Sequence, residues 1–448
     1  MPKKKTALTI EERLQQALVP VEEQPFEVPK NWVWVRLGAV CYASKEKSND
    51  FSNEIKYIGL EHLEKDKGIV GFSSADKVKS TKNAFQEGQI LYGRLRPYLN
   101  KHDIASFSGV CSTDILVFEA SVLVANVLVD KFFNLPFFIE YVVANSKGIN
   151  LPRVSEETVL NTTFPLPPLL EQQRIVERIE ELFAKLDEAK ERLQEVANSF
   201  AVRKAAILHK AFTGELTQQW RRENGVSDES WEEKKLGEVG SWLGGGTPST
   251  SREEYWENGN ILWITSKDMK SAVIEDTLMK VNEIGVKNSS ANYIEKPALL
   301  VVMRSGILRR TFPVAMVKKP FTVNQDLKAI IPDKDDLEFL YWMLLSNEQR
   351  ILDTCMKNGT TVESINSNAL KNLTFKCPTL PEQHEIVRLI DDLLARERAA
   401  QQAAEQALAS IDLMKKSILA RAFRGELGTN KASEASALEL LRQVLAEN

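Results

Sequence analysis

Two long stretches of the chain, residues 171–216 and residues 382–427, carry apolar residues at steps of three and four. This spacing predicts an amphipathic helix with a heptad seam in each stretch. Gly214 and Gly425 stand near the ends of the two stretches, where residues that end helices are expected. The predicted seam positions are Ile175, Ile179, Leu182, Leu186, Ala189, Leu193, Val196, Phe200 and Ile207 in the first stretch and Ile386, Ile390, Leu393, Ala400, Ala404, Ala407, Ile411, Met414 and Ile418 in the second.

The second stretch is a copy of the first. Glu171 and Gln172 recur as Glu382 and Gln383, at an offset of 211 positions that is unchanged at the far ends of the copies. About 42 helical residues at 1.5 Å each span roughly 60 Å, which is longer than an ordinary globular helix. We therefore predict that the two helices connect separate domains and pair with each other, antiparallel, around a pseudo-twofold axis.

Two features bear on this pairing. Heptads alone do not name the partner, so helices in separate bundles, or helices that dimerise with another chain, are alternatives. The second copy also places Glu397 where the first has Leu186. A carboxylate in the seam predicts weak packing of the helices at mid-length.

Outside the helices, short apolar or β-branched runs alternate with Gly, Ser, Asn and Asp, which predicts β-rich α+β domains. The second domain echoes the first, with Arg94 recurring as Arg304 and Asp114 as Asp326. Such a repeat indicates one fold with different loops. The predicted segments are an N-terminal helix and first β-rich domain in residues 1–165, the first long helix in 166–216, a polar hinge and second β-rich domain in 217–378, the second long helix in 379–427 and a tail in 428–448.

Composition narrows the class of protein. The 448 residues include 58 Lys and Arg against 62 Asp and Glu, a formal net charge of −4, which argues against indiscriminate binding of nucleic acid. The four cysteines form no Cys-x-x-Cys pair and there are four histidines, so neither a zinc site nor a disulfide framework is indicated. No stretch approaches the roughly 18 apolar residues of a membrane helix, and we expect a soluble, cytoplasmic protein.

Charge is sorted along the chain in both domains. Residues 88–101 and residues 296–319 contain basic residues and no acidic ones. Arginine suits phosphate binding and the reading of guanine, although a solvated basic surface is the alternative for either stretch alone. Because the pattern occurs twice, we favour nucleic-acid binding. The candidate residues are Arg94, Arg96, Lys101, Arg304, Arg309, Arg310, Asn324 and Gln325.

Three stretches of the chain partly resemble catalytic motifs but lack their defining residues. The stretch at Asn134 lacks the proline of an adenine methyltransferase loop, and the Gly-rich stretch at Gly244 lacks the Gly-Lys-Ser/Thr of a phosphate-binding loop. The acids after Pro332 are not followed by the Glu-x-Lys of a nuclease site. We therefore predict neither a catalytic residue nor a bound metal or cofactor.

The doubled helix carries a resemblance to a known family. Phe164-Pro-Leu-Pro-Pro-Leu-Leu-Glu-Gln-Gln-Arg-Ile-Val176, its counterpart Phe375-Lys-Cys-Pro-Thr-Leu-Pro-Glu-Gln-His-Glu-Ile-Val387 and the helix ends Ala211-Phe-Thr-Gly-Glu-Leu216 and Ala422-Phe-Arg-Gly-Glu-Leu427 are the matching residues. With two variable domains between these copies, the chain resembles the DNA-specificity subunit of type I restriction-modification enzymes over nearly its whole length.

This resemblance implies that each domain reads one half of a bipartite site in double-stranded DNA and that the helices set the spacing. It also implies two modification subunits that use S-adenosylmethionine to methylate adenine N6, and restriction subunits that use ATP and magnesium. The chain itself would contribute recognition and assembly, without catalysis and without a membrane. The rivals are a stand-alone methyltransferase or nuclease, and a coiled-coil scaffold that binds no DNA.

Overall fold

The computed structural model describes residues 9–49, 51–77, 80–357 and 362–447, so that residues 1–8, with which the first predicted domain begins, lie outside it. The chain divides into two compact units. The first unit contains residues 1–194 and 406–448, and the second contains residues 195–405. Each long helical stretch therefore contributes one end to each unit.

The described residues between 9 and 166 form a small α+β fold, as the alternation of short apolar runs predicts. Thr9 caps the first helix in a capping box with Glu12, and Pro136 opens a later helix at the position that proline favours. The elements are α1 (Ile10–Ala17), β1 (Val33–Arg36), β2 (Cys41–Ala43), β3 (Lys47–Ser48), β4 (Lys56–Ile58), β5 (Leu63–Glu64), β6 (Gly68–Ile69), β7 (Ser73–Ser74), β8 (Lys82–Phe85), β9 (Ile90–Gly93), β10 (His102–Ile104), β11 (Gly109–Cys111), β12 (Ile115–Ala120), α2 (Asn126–Phe132), α3 (Pro136–Ala144), α4 (Glu156–Leu160) and β13 (Thr163–Leu166).

The rest of the chain repeats this plan between the long helices. The segment predicted as a polar hinge contains a short helix, α7. The elements are α5 (Leu169–Asn198), α6 (Phe200–Phe212), α7 (Gln218–Glu223), β14 (Glu232–Lys235), β15 (Gly240–Gly244), β16 (Ile261–Ile264), β17 (Met279–Val281), α8 (Glu283–Lys287), β18 (Ala298–Val302), β19 (Val314–Val317), β20 (Phe321–Val323), β21 (Leu327–Pro332), α9 (Leu337–Ser346), α10 (Glu348–Cys355), α11 (Ser367–Lys371), β22 (Thr374–Cys377), α12 (Leu380–Ala422) and α13 (Ala437–Glu447).

Equivalent strands pair in the same way in the two units. The first has a four-stranded sheet in the order β10-β9-β12-β2 and a five-stranded sheet β3-β8-β11-β4-β7, and the second has β15-β21-β18-β19 and β17-β16-β20. In each unit one parallel pair, β4 with β11 or β16 with β20, stands among antiparallel ones. A separate two-stranded ladder, β1 with β13 or β14 with β22, leads into a long helix. The predicted duplication of the fold is confirmed.

The long helices run antiparallel where each unit contains them. In the first unit, Ile175 and Ile179 near the start of α5 share a core with Ile418 and Leu419 near the end of α12. In the second unit, Ile207 of α6 shares a core with residues near the start of α12, including Ile386 and Ile390. Met414, predicted to lie in the seam, is 49% exposed and lies outside this core, so the covered side of α12 does not include it.

Two details of the predicted helices differ from the structure. The first stretch is interrupted at Ser199, whose hydroxyl donates to the carbonyl of Val196 at 3.0 Å while the Arg203 guanidinium also donates there at 3.2 Å. Such competition for a helical carbonyl is a known cause of helix distortion. Glu397, expected to weaken the packing, instead accepts a hydrogen bond of 2.5 Å from the Arg203 guanidinium. The polar pair replaces the apolar contact.

Each long stretch begins with a buried glutamate. Glu171 is fully buried and accepts hydrogen bonds from the indole of Trp32 at 2.7 Å, from the hydroxyl of Thr429 at 3.2 Å and from the amide of Asn430 at 2.7 Å. Thr429 and Asn430 follow the end of α12. The carboxylate at the start of one helix is thus held by the segment that follows the other.

The second unit uses the same arrangement with an ion pair. Glu382, also fully buried, accepts hydrogen bonds of 2.7 Å from the Thr217 hydroxyl and from the Arg221 guanidinium, both in the segment after α6. Burying a carboxylate is costly unless a partner compensates its charge. The repeated glutamate therefore requires the antiparallel return of the chain in each unit.

The glutamine that follows each glutamate fastens the helix to the domain. Gln172 accepts a hydrogen bond of 3.2 Å from the backbone of Ala125, and Gln383 accepts one of 2.8 Å from the backbone of Asp336. Ala125 and Asp336 cap equivalent helices, α2 and α9. The repeated Glu-Gln pair therefore joins three parts of each unit.

The ion pair of Glu382 yields a stability prediction. Arg221→Ala should lower the free energy of unfolding of the second unit by about 3 kcal/mol, because it leaves a buried carboxylate without its cation. Urea unfolding followed by tryptophan fluorescence measures the loss. Arg222→Ala, which removes an exposed arginine from the same helix, should change the stability by less than about 0.5 kcal/mol. Equal effects of the two substitutions would contradict the role given to Glu382.

Candidate nucleic-acid interface

In each predicted basic stretch the arginines follow an equivalent strand, β9 in the first unit and β18 in the second. After β9 the backbone N–H of Arg94 donates to the carbonyl of Asp114 at 2.9 Å. After β18 the N–H groups of Met303 and Arg304 donate to the carbonyl of Asp326 at 2.8 and 3.2 Å. In both units an aspartate preceding the central strand of the sheet thus positions the basic segment.

The hydrogen-bonded register corrects the sequence alignment by one residue. Leu95 forms a β-bridge with Arg153, and Arg304 forms one with Ser364. Arg304 therefore stands at the position of Leu95, and Arg94 corresponds to Met303. Successive residues of an extended chain point to opposite sides, so the arginines of the two units do not occupy equivalent positions.

A second loop lies beside each basic segment. In the first unit the backbone N–H of Lys147 donates to the carbonyl of Arg153 at 2.9 Å, and the N–H of Arg96 donates to the carbonyl of Pro152 at 2.7 Å. In the second unit the N–H of Lys357 donates to the carbonyl of Ser364 at 2.8 Å. Lys147, Arg153 and Lys357 thus join the candidate set, although sequence spacing alone did not single them out.

The ends of the parallel strands converge on the same region. The backbone N–H of Ser112, after β11, donates to the carbonyl of Ile58 in β4 at 2.9 Å, and that of Asn324, after β20, donates to the carbonyl of Ile264 in β16 at 3.0 Å. Gln325 accepts a hydrogen bond of 2.8 Å from the hydroxyl of Thr247. The Gly-rich turn before Thr247 therefore belongs to this surface.

The eight candidate residues differ in how they meet solvent. Asn324 is 8% exposed, and its amide oxygen accepts a hydrogen bond from the backbone of Asp326 at 3.2 Å, so it shapes its own turn. Lys101 is half-buried and donates to the carbonyl of Leu60 at 3.0 Å. Arg94 is half-buried as well. The exposed members are Arg96, Arg304, Arg309, Arg310 and Gln325.

Several basic residues of the second stretch have acidic partners from elsewhere in the chain. Lys318 pairs with Glu338, Lys319 pairs with Glu275 at 2.6 Å, and Arg309 forms an ion pair with Glu363. The hydrogen bond from Arg309 holds the pKa of Glu363 below its ordinary value. The absence of acids within the stretch therefore overstated its charge, and Arg304 and Arg310 become the better candidates for contacting an anion.

The loops of the first unit are held by one ion pair. The Arg153 guanidinium donates two hydrogen bonds, of 2.8 and 3.2 Å, to the two carboxylate oxygens of Asp114. Arg96 has a φ of 54°, in the left-handed region that side chains disfavour. A strained arginine beside a bidentate ion pair indicates that the local backbone is fixed by its surroundings rather than by its own preference.

Two buried cysteines of the first unit are poor nucleophiles. Burial raises the pKa of Cys41 and of Cys111 to about 12, which disfavours the thiolate that a nucleophile requires. No group of three or more metal-binding side chains occurs among these residues. Nor is any of the helices in this part of the chain long and apolar enough to cross a membrane.

Comparison with known proteins gives a consistent family. The family described as "Type I restriction modification DNA specificity domain" matches residues 29–198 and 228–407. The EcoR124I/EcoR124II specificity subunit of Escherichia coli is 40% identical over 159 residues, which cover 35% of this chain and 39% of that protein. The EcoBI specificity subunit of Escherichia coli is 26% identical over 342 residues, or 70% of each chain.

Solved structures agree with the fold. The HsdS subunit from Thermoanaerobacter tengcongensis superposes with a TM-score of 0.69 at 22% sequence identity, covering 91% of this chain and all of that one. A chain from a structure of the assembly and conformational transition of a type I restriction-modification system gives 0.63 at 22% identity, covering 90% of this chain and all of that one. At such identities the likeness concerns the architecture.

The ion pair of Asp114 predicts a pH dependence. The hydrogen bonds and charge of Arg153, together with the charge of Arg94, hold the pKa of Asp114 below its ordinary value, although partial burial opposes this. Its contribution to stability is therefore present above the unfolded pKa, near 4, and is lost as the pH falls through the folded pKa. Asp114→Asn should cost less than about 1 kcal/mol at pH 7, because both partners are partly exposed, and progressively less below pH 4.

Urea unfolding of wild type and variant between pH 7 and pH 3 measures this difference. Asp66→Asn makes the same charge change in an exposed turn of the first unit, and the stability difference that it causes should not follow the same pH profile. A penalty for Asp114→Asn that stays constant down to pH 3 would show that the carboxylate charge does not hold the loops.

Proposed function

The chain belongs to the family of type I restriction-modification DNA specificity subunits, and we propose on this basis that each unit reads one half of a bipartite site in double-stranded DNA. The observation that supports this best is the duplicated scaffold. Equivalent ladders and equivalent aspartates hold the loops of both units, yet the residues on those loops differ. One fold then presents two sequence specificities.

Differences at matched positions favour direct reading of bases. Arg304 takes the place of Leu95, and Ser364 takes the place of Arg153. Arginine binds guanine or phosphate with two parallel hydrogen bonds, whereas serine offers a single hydroxyl and leucine only apolar contact. A change of this kind leaves the backbone in place and alters the pattern of donors that faces the DNA.

We assign the exposed arginines to backbone and base contacts. Arg304, Arg309 and Arg310 follow β18, and Arg309 would exchange its contact with Glu363 for one with DNA. In the first unit Arg96 is exposed, and the neighbouring Tyr98 is 49% exposed, so its ring is available for stacking or for contact with sugars. Lys101 and Asn324 stabilise the loops through their hydrogen bonds to the backbone.

The remaining activities belong to partner subunits in this proposal. Two modification subunits would use S-adenosylmethionine for adenine-N6 methylation, and restriction subunits would use ATP and magnesium for translocation and cleavage. The long helices offer apolar side chains for docking: Leu170 is 64%, Val202 70% and Leu413 67% exposed. Where such side chains form a contiguous patch, they mark a surface that a partner protein covers.

Two other functions make different predictions. A stand-alone methyltransferase would transfer methyl groups to DNA without partners, and a methylation assay on the isolated chain tests this. A coiled-coil scaffold without DNA binding would not retain duplex DNA. Sequence-selective retention that weakens at high salt excludes the scaffold, because it reports the release of counterions from phosphates.

The arginines after β18 can be tested directly. The combined substitution Arg304→Ala, Arg309→Ala and Arg310→Ala should weaken duplex binding and lower the slope of log affinity against log salt by about one for each phosphate that is no longer bound. Fluorescence anisotropy between 50 and 200 mM salt measures both quantities. Arg388→Ala, Arg396→Ala and Arg398→Ala remove equal charge from the exposed side of α12 and form the matched control. Identical curves of affinity against salt for the two triple variants would contradict the assignment of these arginines to DNA contacts.

The proposed role of the helices in spacing predicts a second outcome. One heptad inserted between Ala189 and Leu193 and another between Ala400 and Ala404 keeps the apolar period while adding about 10 Å, or roughly three base pairs. Selection of duplexes from a random library by the variant with its modification subunits should return the same half-sites with a longer spacer. Altered rotation about the DNA axis should lower the affinity. An active variant that selects only the original spacer would show that the helices do not set the distance.

A further inference from the structure

In the first unit, the segment that precedes β1 covers part of the surface formed by the β1–β13 ladder and the neighbouring helices. The backbone N–H of Val19 donates to the carbonyl of Trp34 in β1 at 3.0 Å. Farther along the segment, the ring of Phe26 packs edge-on against Trp34 at 4.9 Å and against Phe137 at 5.7 Å between centroids. The guanidinium of Arg424 lies 5.2 Å from the centre of the Phe26 ring.

The second unit has an open cavity at the equivalent place. Its volume is about 720 Å³, and its apolar floor is formed by α6, α9 and β22. The floor residues include Leu208, Phe212, Met343 and Phe375. Three of them match residues of the first unit through the helix repeat and the ladder: Leu208 matches Leu419, Phe212 matches Phe423, and Phe375 matches Phe164.

Matched residues reveal what the covering segment does. Phe423 in the first unit is fully buried, whereas Phe212 in the second unit is only partly buried. Trp34, 3% exposed, is replaced by the exposed Glu233, and the buried Pro165 is replaced by the exposed Lys376. The apolar floor is thus kept in the second unit, while its rim has become charged.

The outer edge of the ladder in the second unit is also open to a partner. Trp34 stands opposite Pro165, which has no N–H to donate, and the carbonyl of Trp34 accepts from Val19 at the outer edge instead. Glu233 stands opposite Lys376 in the same register. Its carbonyl therefore faces the outer edge of β14, and among the described residues no strand pairs with that edge.

Charge favours an acidic occupant. The rim carries Arg350 and Lys376, with His209 beside them, against the single carboxylate of Glu233. The segment that covers the first unit, residues 21–27, carries three glutamates and no basic residue. Opposite charges around an apolar centre steer a ligand and orient it.

We propose that this cavity binds an extended acidic segment of a partner protein, which adds to the edge of β14 and places one aromatic side chain over Phe212 and Phe375. The mode is β-strand addition with a side-chain anchor. The inference concerns a protein partner and stands independently of DNA recognition. In the first unit the chain itself supplies the covering segment. In the second unit a partner protein supplies it.

A peptide with the sequence of residues 17–30, which includes Val19 and Phe26, is the probe. Labelled with fluorescein and added to the full-length chain, it should bind saturably. Replacing the phenylalanine that corresponds to Phe26 by alanine should weaken binding at least ~10-fold, because a buried aromatic anchor carries much of such an interaction. Since the first unit holds its own covalently linked copy of the segment, at a high effective concentration, the free peptide should report the second unit.

Charge reversal assigns the binding to the cavity. Arg350→Glu with Lys376→Glu should weaken the peptide at least ~10-fold, and a peptide with lysine at the positions of Glu22, Glu23 and Glu27 should regain binding to that variant. Arg222→Glu with Lys287→Glu makes the same charge change at exposed positions of the same unit and should leave the original peptide bound. Unchanged thermal unfolding of both double variants confirms that they are folded.

Two results would overturn the proposal. One is the absence of saturable peptide binding, or binding that the reversal at Arg350 and Lys376 does not change. The other is a concentration-dependent dimer of the wild-type chain, seen by sedimentation, that the same reversal abolishes. That dimer would assign the cavity to a second copy of the chain instead of a partner protein.

Discussion

Each long helix starts with a carboxylate that is removed from water, and distant parts of the same unit supply its hydrogen bonds. Glu171 depends on Trp32, Thr429 and Asn430, and Glu382 depends on Thr217 and Arg221. In both cases part of the donor set lies just beyond the end of the opposite helix. An unpaired buried carboxylate would cost several kcal/mol, so only a chain that returns antiparallel satisfies both helices.

This constraint explains why the Glu-Gln pair and the helix ends recur while the loops between them change. The pair fixes where each helix leaves its domain, and Gln172 and Gln383 extend that hold to α2 and α9. The loops carry no part of this support. They are therefore able to differ between units, as the replacement of Leu95 by Arg304 illustrates.

Local patterns predicted the elements well because their causes are local. The apolar period predicted the long helices, and the alternation of short apolar runs predicted the β-rich domains. The tail helix α13 packs on the first unit through Leu441 and Leu445. The interactions that the sequence did not disclose are contacts between distant positions. Glu397 pairs with Arg203, and Lys318 pairs with Glu338. Neither pairing follows from the spacing of the two residues in the sequence.

In the candidate site, too, local patterns were predictable and contacts between distant residues were not. The two basic stretches were visible from composition and order. The one-residue offset between Arg94 and Arg304 depends on backbone hydrogen bonds to Asp114 and Asp326, which only the folded sheet displays. The nearby basic residues Arg153 and Lys357 were also hidden, because they approach through a neighbouring loop rather than along the sequence.

In the proposed function this chain supplies a two-part DNA specificity to a methylating enzyme. Mapping N6-methyladenine across the genome of the source organism, with this gene intact and with it deleted, tests the claim most directly. The account predicts a motif of two specified halves around an unspecified spacer that is methylated in the first strain and unmethylated in the second. Identical methylation maps in the two strains would contradict it.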